Sequence, residues 1–151
     1  MSEPKVLFKD HGNIAVIKLN RPEKRNALDP ETVMMFNEFS EKAKDPKFRA
    51  VIVTGDGSAF CGGADITAAA SEDGMGWKSV EQALNEGYHV GLNNMIYMDK
   101  VVIAAVEGAC AGIGCAYYLS SDIAVMAKSS FFQIGFSKIA LIPDGGSNWL
   151  L

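Results

Sequence analysis

The sequence contains 151 residues, of which 48% are hydrophobic and 21% are charged, a composition typical of one soluble globular domain. The formal net charge of −4 argues against a general surface for nucleic acids or acidic membranes, so an anionic ligand needs a local basic patch. The three cysteines form no C-x-x-C pair and only two histidines are present, which argues against a metal site and favours buried, reduced thiols.

Predicted strands and helices alternate along the chain. Short apolar runs predict strands, whereas apolar residues three to four positions apart predict helices. Asp29 followed by Pro30 marks the start of the first helix, and Asp45-Pro46 marks its end. In chain order, the predicted elements are a hairpin of strands over 6–9 and 14–19, a helix from residue 30, a strand over 50–54, a loop over 67–79, a helix over 81–98, a strand over 101–106, a helix to residue 121, and strands over 123–127 and 131–133. This order predicts an α/β domain with crossover connections.

One stretch has a composition close to that of a membrane span. Residues 101–119 contain a single charged residue, Glu107, and approach transmembrane length. Three glycines within the stretch and its β-favouring start predict instead a buried strand, a glycine turn and a buried helix. The N-terminus also lacks the pattern of a signal peptide, so we expect a cytoplasmic protein without a membrane partner.

Two glycine-rich turns, over 55–65 and 108–114, each follow a predicted buried strand. Neither contains G-K-[ST] or G-x-G-x-x-G, which excludes a P-loop and the dinucleotide fingerprint. A glycine turn at the start of a helix leaves backbone N–H groups unpaired and presents a partial positive charge. From the residues alone, two interpretations stay open: glycines that allow tight turns, and a paired site for an oxyanion.

The final residues predict the first turn of a further helix. Ser147 has the character of an N-cap, and Trp149, Leu150 and Leu151 form an apolar turn after it. We therefore expect a truncated chain that lacks the region continuing this helix.

Four segments resemble motifs of the enoyl-CoA hydratase/isomerase (crotonase) superfamily. Residues 20–28 (NRPEKRNAL) are similar to its N-R-P-x-x-x-N-A-[LM] segment, and residues 60–66 (FCGGADI) to its F-x-x-G-x-D-[IL] motif. Residues 102–115 resemble its P-V-I-A-A-V-x-G-x-x-x-G-x-G turn, and residues 136–146 its G-[LI]-x-P-x-x-G-G region. The resemblance covers essentially the whole chain. It implies one α/β domain over 1–151, a crotonase-like spiral of ββα turns with two sheets, whose C-terminal helical region is missing.

The resemblance also implies a site for an acyl-CoA thioester. The two backbone amides that bind the thioester carbonyl in this family map to Ala64 and to Ile113, which replaces the usual glycine. Such fixed donors stabilise the charge of an enolate without reorganising. Lys24 and Arg25 would hold coenzyme A phosphates, although solvated loop charges explain them equally well. The further positions that the resemblance implies for contact with the substrate are Ala27, Asp65, Ile66, Thr67 and Gly112.

The acidic positions indicate the type of chemistry. Hydratases of the family activate water with two glutamates, and the matching positions here are Ala116 and Phe136, which disfavours hydration. Isomerases of the family place an acidic residue at the position of Asp144. Among apolar neighbours the pKa of this carboxyl should rise, which would make it a better base. From the residues alone, a cap of the next helix or a turn with Gly145 is the favoured interpretation of Asp144, and the resemblance reverses that preference.

The resemblance thus implies an acyl-CoA isomerase, closest to enoyl-CoA and epoxyphenylacetyl-CoA isomerases, with Asp144 as its base. It needs no cofactor, because coenzyme A belongs to the substrate. Three alternatives stay open: a hydratase, an enzyme in which Asp144 is a nucleophile, and an inactive acyl-CoA-binding fragment. We expect a homotrimer or hexamer for a full-length protein and no nucleic-acid partner.

Overall fold

In the computed structural model, which describes residues 3–69 and 77–151, eight strands form two sheets. The strands are β1 (Val6–Asp10), β2 (Ile14–Leu19), β3 (Ala50–Gly55), β4 (Ala59–Cys61), β5 (Val101–Val106), β6 (Ala109–Ala111), β7 (Ile123–Met126) and β8 (Phe131–Gln133). The larger sheet has the order β1-β2-β3-β5-β7, and only its β1–β2 hairpin is antiparallel. The predicted strands and the crossover connections are therefore confirmed.

The smaller sheet consists of three parallel strands in the order β4-β6-β8. Two of these strands, β4 and β6, lie inside the segments predicted as glycine turns, so that prediction was wrong at these positions. Each is only three residues long and is flanked by glycine, which leaves no alternating pattern long enough to recognise. Pairing with a neighbouring strand, rather than local preference, creates them.

The helices lie where the crossovers require them. They are α1 (Pro30–Lys42), α2 (Ile66–Ala69), α3 (Val80–Gln82), α4 (His89–Ile96), α5 (Gly114–Leu119) and α6 (Ser147–Leu150). A π-helical segment, Ala83–Tyr88, joins α3 to α4, so one helical segment runs through most of the range predicted at 81–98. The loop predicted over 67–79 was wrong at 67–69, which belong to α2; residues 70–76 lie outside the described part of the chain.

Helix α1 begins as predicted from its capping residue. The Asp29 carboxylate accepts a hydrogen bond from the backbone N–H of Thr32 at 2.9 Å, and Pro30 occupies the first turn. The cap predicted for the last helix was wrong. Gly146, with φ of 79°, is the N-cap of α6, and Ser147 is its first helical residue.

The helical segment at 80–96 packs tightly against α1 because it carries glycine at the contact. A Cβ on Gly91 would lie 2.6 Å from Oδ1 of Asn37 and 2.8 Å from Cδ1 of Phe36. The amide of Asn37 also donates a hydrogen bond of 2.9 Å to the carbonyl of Gly87, within the π-helical segment. These contacts fix the segment that carries Tyr88.

The core lies between the larger sheet, α1 and the segment at 80–96, and it continues under the smaller sheet. Its fully buried members include Ile17, Phe36, Val53, Phe60 and Val102. All three cysteines are buried and unbridged, as predicted. Several apolar side chains are exposed near the end of the chain, among them Phe131, Ile142 and Trp149.

No helix in the described ranges is long and apolar enough to cross a membrane. Within the same ranges no cluster of three His, Cys, Asp or Glu side chains could hold a metal ion.

Candidate active site

A cavity of about 520 Å³ lies where the two glycine turns meet the segment 133–144. Its walls are largely apolar and include Ala83, Leu84, Tyr88, Phe136 and Leu141. Backbone atoms of both glycine turns form another part of its surface. A cavity of this composition and size suits an organic ligand that is held by a few polar groups.

Leu28 holds the first glycine turn from both sides. Its N–H donates to the carbonyl of Gly63 at 2.8 Å, and its own carbonyl accepts from the N–H of Asp65 at 3.0 Å. These two bonds form an isolated parallel bridge between Leu28 and Ala64. In a parallel bridge, the residue that lies between the two hydrogen-bonded residues, here Ala64 between Gly63 and Asp65, directs its own N–H away from the opposite strand. The N–H of Ala64 therefore points away from Leu28, and it has no acceptor among the described residues.

The second turn presents another unpaired amide. Gly112, with φ of 51°, donates its N–H to the carbonyl of Gln133 at 3.0 Å and accepts from the N–H of Cys115 at 3.0 Å. Ile113 follows as the N-cap of α5. Its own N–H has no acceptor in the described part of the chain, as expected for a residue at a helix start.

The two turns are in direct contact because both have glycine at the point of approach. A Cβ on Gly63, where φ is 94°, would lie 2.9 Å from the carbonyl oxygen of Ala111 and 3.6 Å from Cα of Gly112. No side chain fits in this gap. The predicted amides of Ala64 and Ile113 consequently belong to neighbouring turns that line one cavity.

Asp144 is a carboxylate on the wall of the same cavity. Its Oδ1 is buried and has no hydrogen-bond partner in the described ranges. Burial raises the pKa of this carboxyl above its ordinary value, and the smaller effects of its own backbone N–H and of His89 oppose that shift. A buried acceptor without a partner is available to accept a proton.

The backbone of Asp144 supports the turn before α6. Its carbonyl accepts from the N–H of Ser147 at 3.0 Å and from the hydroxyl of Ser147 at 2.8 Å. The side chain does not cap α6, since Gly146 is the N-cap and no side chain bonds there. The capping alternative for Asp144 is therefore wrong, whereas the turn that includes Gly145 is present.

Both positions that carry glutamate in the hydratases are apolar here. Ala116 is fully buried in α5, and Phe136 lies on the cavity wall with 6% of its surface exposed. Among the described residues that line the cavity, Asp144 is the only carboxylate.

Lys24 and Arg25 lie beside the site rather than on the cavity wall. Both side chains are exposed, and the Arg25 carbonyl accepts a hydrogen bond of 2.8 Å from the N–H of Gly62, which does line the cavity. Their contact with coenzyme A stays a prediction. A cation on the wall, Lys138, was not anticipated, because a single lysine in the segment 134–143 carries no local signal for a place on a cavity wall.

The other predicted contact residues divide into two groups. Ile66 and Gly112 line the cavity, whereas Ala27, Asp65 and Thr67 do not. The Asp65 carboxylate is buried, and it accepts from the Arg21 guanidinium at 3.0 Å and from the Thr67 hydroxyl at 2.6 Å. Contact of these three residues with a ligand is thus not indicated by the cavity.

Tyr88 is a wall residue that sequence reasoning missed. Its hydroxyl donates to the carbonyl of Leu28 at 3.3 Å, the same carbonyl that holds the N–H of Asp65. Burial raises the pKa of Tyr88, so this phenol stays protonated at neutral pH. An aromatic residue at helical spacing is usual in a core, and no local signal marked its position.

Known proteins resemble this chain closely. Residues 9–151 match the family model described as enoyl-CoA hydratase/isomerase. A probable enoyl-CoA hydratase of Rhodobacter capsulatus is 35% identical over 151 residues, which is 100% of this chain and 57% of the relative. The 1,2-epoxyphenylacetyl-CoA isomerase of Escherichia coli is 35% identical over 146 residues, or 91% of this chain and 53% of the relative.

Solved structures agree with these relatives. The crystal structure of an enoyl-CoA hydratase from Polaromonas sp. JS666 superposes with a TM-score of 0.84 at 34% identity, and the match covers 96% of this chain and 56% of that one. The Pseudomonas aeruginosa protein PA4980 gives a TM-score of 0.84 at 33% identity. The chain therefore spans just over half the length of the first relatives that it matches.

Proposed function

Because the chain belongs to the enoyl-CoA hydratase/isomerase family, we propose that its cavity binds an acyl-CoA thioester and relocates a proton on the acyl group. The amides of Ala64 and Ile113 hold the thioester carbonyl oxygen, and Asp144 is the base. The observation that carries this proposal is the composition of the cavity, which, among the described residues, combines two amides without acceptors with a single carboxylate whose buried Oδ1 has no partner.

The proposed reaction moves a carbon–carbon double bond. The Asp144 carboxylate removes a proton from C2 of a β,γ-unsaturated thioester, and the electron pair shifts to give a dienolate with its charge on the carbonyl oxygen. The two amides stabilise that charge, and one such donor typically contributes about 3 kcal/mol. The protonated Asp144 then returns its proton to C4, which leaves the α,β-unsaturated thioester and restores the carboxylate. No cofactor takes part.

The surroundings of Asp144 suit this carboxyl both to remove the proton from C2 and to return it to C4. A base works best when its pKa lies near the working pH, and burial moves the pKa of this carboxyl upward from its ordinary value of 3.8. The largely apolar wall of the cavity, which includes the buried Phe136, also limits the water that can reach the dienolate.

Hydration is the second candidate, because several relatives are named as enoyl-CoA hydratases. The cavity argues against it, since neither Ala116 nor Phe136 can position or deprotonate water. A covalent route through Asp144 as a nucleophile, and binding without turnover, use the same residues.

Deuterium exchange separates these functions. The chain is incubated in D₂O with a 3-enoyl-CoA, and mass spectrometry follows both deuterium in the thioester and formation of the conjugated isomer. We expect exchange and isomerisation in the parent chain and loss of both in Asp144→Asn. Exchange that survives in Asp144→Asn would contradict the assignment of the base.

Parallel incubation of a 2-enoyl-CoA in H₂¹⁸O tests the alternatives. Formation of a 3-hydroxyacyl-CoA that carries ¹⁸O would support hydration instead. An adduct on Asp144, located by peptide mass spectrometry, would support covalent catalysis. Tight binding of an acyl-CoA without any exchange would identify a binding protein.

A further inference from the structure

The buried guanidinium of Arg21 joins the loop at 20–28 to the first glycine turn. Its Nη2 lies 3.0 Å from Oδ2 of Asp65 and 3.3 Å from Oδ2 of Asp29, and its Nη1 donates to the carbonyl of Ala27 at 2.5 Å. The side chains of Arg21 and Asp65 are only 11% and 6% exposed. Neither residue lines the cavity, so any influence on a bound ligand passes through the backbone.

Asp65 directly follows Ala64, whose amide is one of the two unpaired donors. The N–H of Asp65 bonds to the carbonyl of Leu28, and its carboxylate bonds to Arg21. The residue after Ala64 is therefore fixed at both its backbone and its side chain. On the other side, the carbonyl of Gly63 accepts from the N–H of Leu28, and the N–H of Gly62 donates to the carbonyl of Arg25. A glycine with φ of 94° is free to rotate unless its neighbours prevent it.

Arg21 is itself held in place by a second buried side chain. Oδ1 of Asn26 accepts the backbone N–H of Arg21 at 2.8 Å, and Nδ2 of Asn26 donates to the carbonyls of Ala59 at 2.6 Å and Asp56 at 2.9 Å. Asn26 thus ties the backbone of Arg21 to the segment at 56–59, between β3 and β4. A rigid second contact of this type is what keeps a reacting group within a fraction of an ångström of its place.

From these contacts we infer that Arg21 and Asp65 are a positioning pair that sets the direction of the Ala64 amide. The inference rests on the proposed function of that amide as a donor to a thioester carbonyl. Stability alone explains the pair poorly, because buried ion pairs contribute little net folding energy. A planar guanidinium that bonds Asp65 through Nη2 and the carbonyl of Ala27 through Nη1, in contrast, is held in one orientation.

The test uses the 151-residue chain and para-dimethylaminocinnamoyl-CoA, a thioester whose absorption moves to longer wavelength when donors polarise its carbonyl. Two variants break the pair, Asp65→Asn and Arg21→Lys. Asp29→Asn is the matched control, because it removes the other carboxylate from the same guanidinium at equal size, while the remaining bonds of Asp29 go to Thr32 in α1 and to Lys5. Chemical unfolding of each variant measures the accompanying loss of stability.

We expect both pair variants to bind the probe with most of the red shift lost, and Asp29→Asn to keep the shift of the parent chain. With a 3-enoyl-CoA as the substrate, the kcat of both pair variants should fall by about tenfold to a hundredfold, and their KM should change much less. If Asp65→Asn does not fold, Arg21→Lys carries the same readout, since it keeps the charge.

A full red shift in folded Asp65→Asn and Arg21→Lys would overturn the positioning role. Equal loss of the shift in Asp29→Asn would also overturn it, because the effect would then follow stability. A parent chain that binds the probe without any red shift would instead contradict the proposed oxyanion site, on which the inference depends.

Discussion

A Cβ on Gly145 would lie 2.7 Å from Cβ of Ala116, so the backbone that follows Asp144 rests directly on helix α5. The same helix has Ile113 as its N-cap. One short helix thus determines the place of both an unpaired amide and the carboxylate. The close approach of Gly145, which also lies near the side chains of Ile113 and Leu92, helps to set the distance between these two groups.

Gly145→Ala should disturb this contact. The new methyl group overlaps Ala116, and φ of 60° adds backbone strain, so we expect a loss of about 2–4 kcal/mol in the free energy of unfolding. Gly12→Ala is the matched control, because φ there is 75° but nothing lies within 4 Å of the added carbon. Urea unfolding of the two variants compares strain alone with strain plus overlap. Equal losses would show that the contact with Ala116 is unimportant.

Asn26→Ala should be among the most destabilising polar substitutions in the chain. Its side chain is fully buried and makes three hydrogen bonds, and its φ of 55° is one that asparagine tolerates better than alanine. Since it leaves several backbone groups unpaired, we expect a loss of about 3 kcal/mol, measured by chemical unfolding. Asn20→Ala removes one exposed hydrogen bond and should change stability by less than about 1 kcal/mol. A similar loss in both variants would contradict the role of burial.

Replacement of Asp144 by asparagine should stabilise the chain at neutral pH. The pKa of this carboxyl is raised in the folded state, so the folded chain binds the proton more tightly than the unfolded chain does. The contribution of this carboxyl to the free energy of unfolding is fully present below 3.8, its pKa in the unfolded chain. That contribution is lost as pH rises through the pKa of the folded chain. Asp144→Asn removes that loss. In urea unfolding, the gain should therefore be absent below about pH 4, grow as pH rises through the folded pKa, and stay constant above it.

An exposed carboxylate provides the control for this pH dependence. The side chain of Asp99 is 85% exposed, and Asp99→Asn should leave the pH profile of the parent chain unchanged. A gain for Asp144→Asn that is constant over the whole range, or a loss at neutral pH, would argue against the raised pKa.

The thiols should be unreactive in the folded chain. All three cysteines are buried, and burial raises the pKa of Cys61 to about 12, so almost no thiolate forms there at neutral pH. We expect Ellman's reagent to label none of them quickly under native conditions and all three after denaturation in guanidinium chloride. Glutathione serves as the reactive reference. Rapid labelling of Cys115, whose pKa is lowered by its hydrogen bond with Cys110, would reveal an opening of the core there.

Much of the fold follows from local patterns. The five strands of the larger sheet are apolar runs long enough to recognise, and the α1 cap has a clear signal in Asp29 and Pro30. The crotonase-type α/β architecture implied by the four motifs is confirmed by the match to solved structures. The strands β4 and β6 were not predictable, since three residues next to glycine show no periodicity.

The site was only partly accessible to the same reasoning. The resemblance to the family implied Ala64, Ile113 and Asp144, and the structure brings these residues to one cavity. The contacts of Arg21 and the position of Tyr88 depend on partners 44 and 60 residues away, and no local pattern reports such distances. The buried orientation of Asp65 has the same origin.

Ile113 illustrates a separation that backbone donors make possible. Its N–H belongs to the main chain, whereas its side chain lines the cavity. Exchange of the side chain therefore changes the volume offered to a ligand without removing the donor. In related proteins, substitutions at the position of Ile113 can therefore change which ligand shapes fit while the backbone donor is kept. A protein engineer can vary the same side chain for the same purpose.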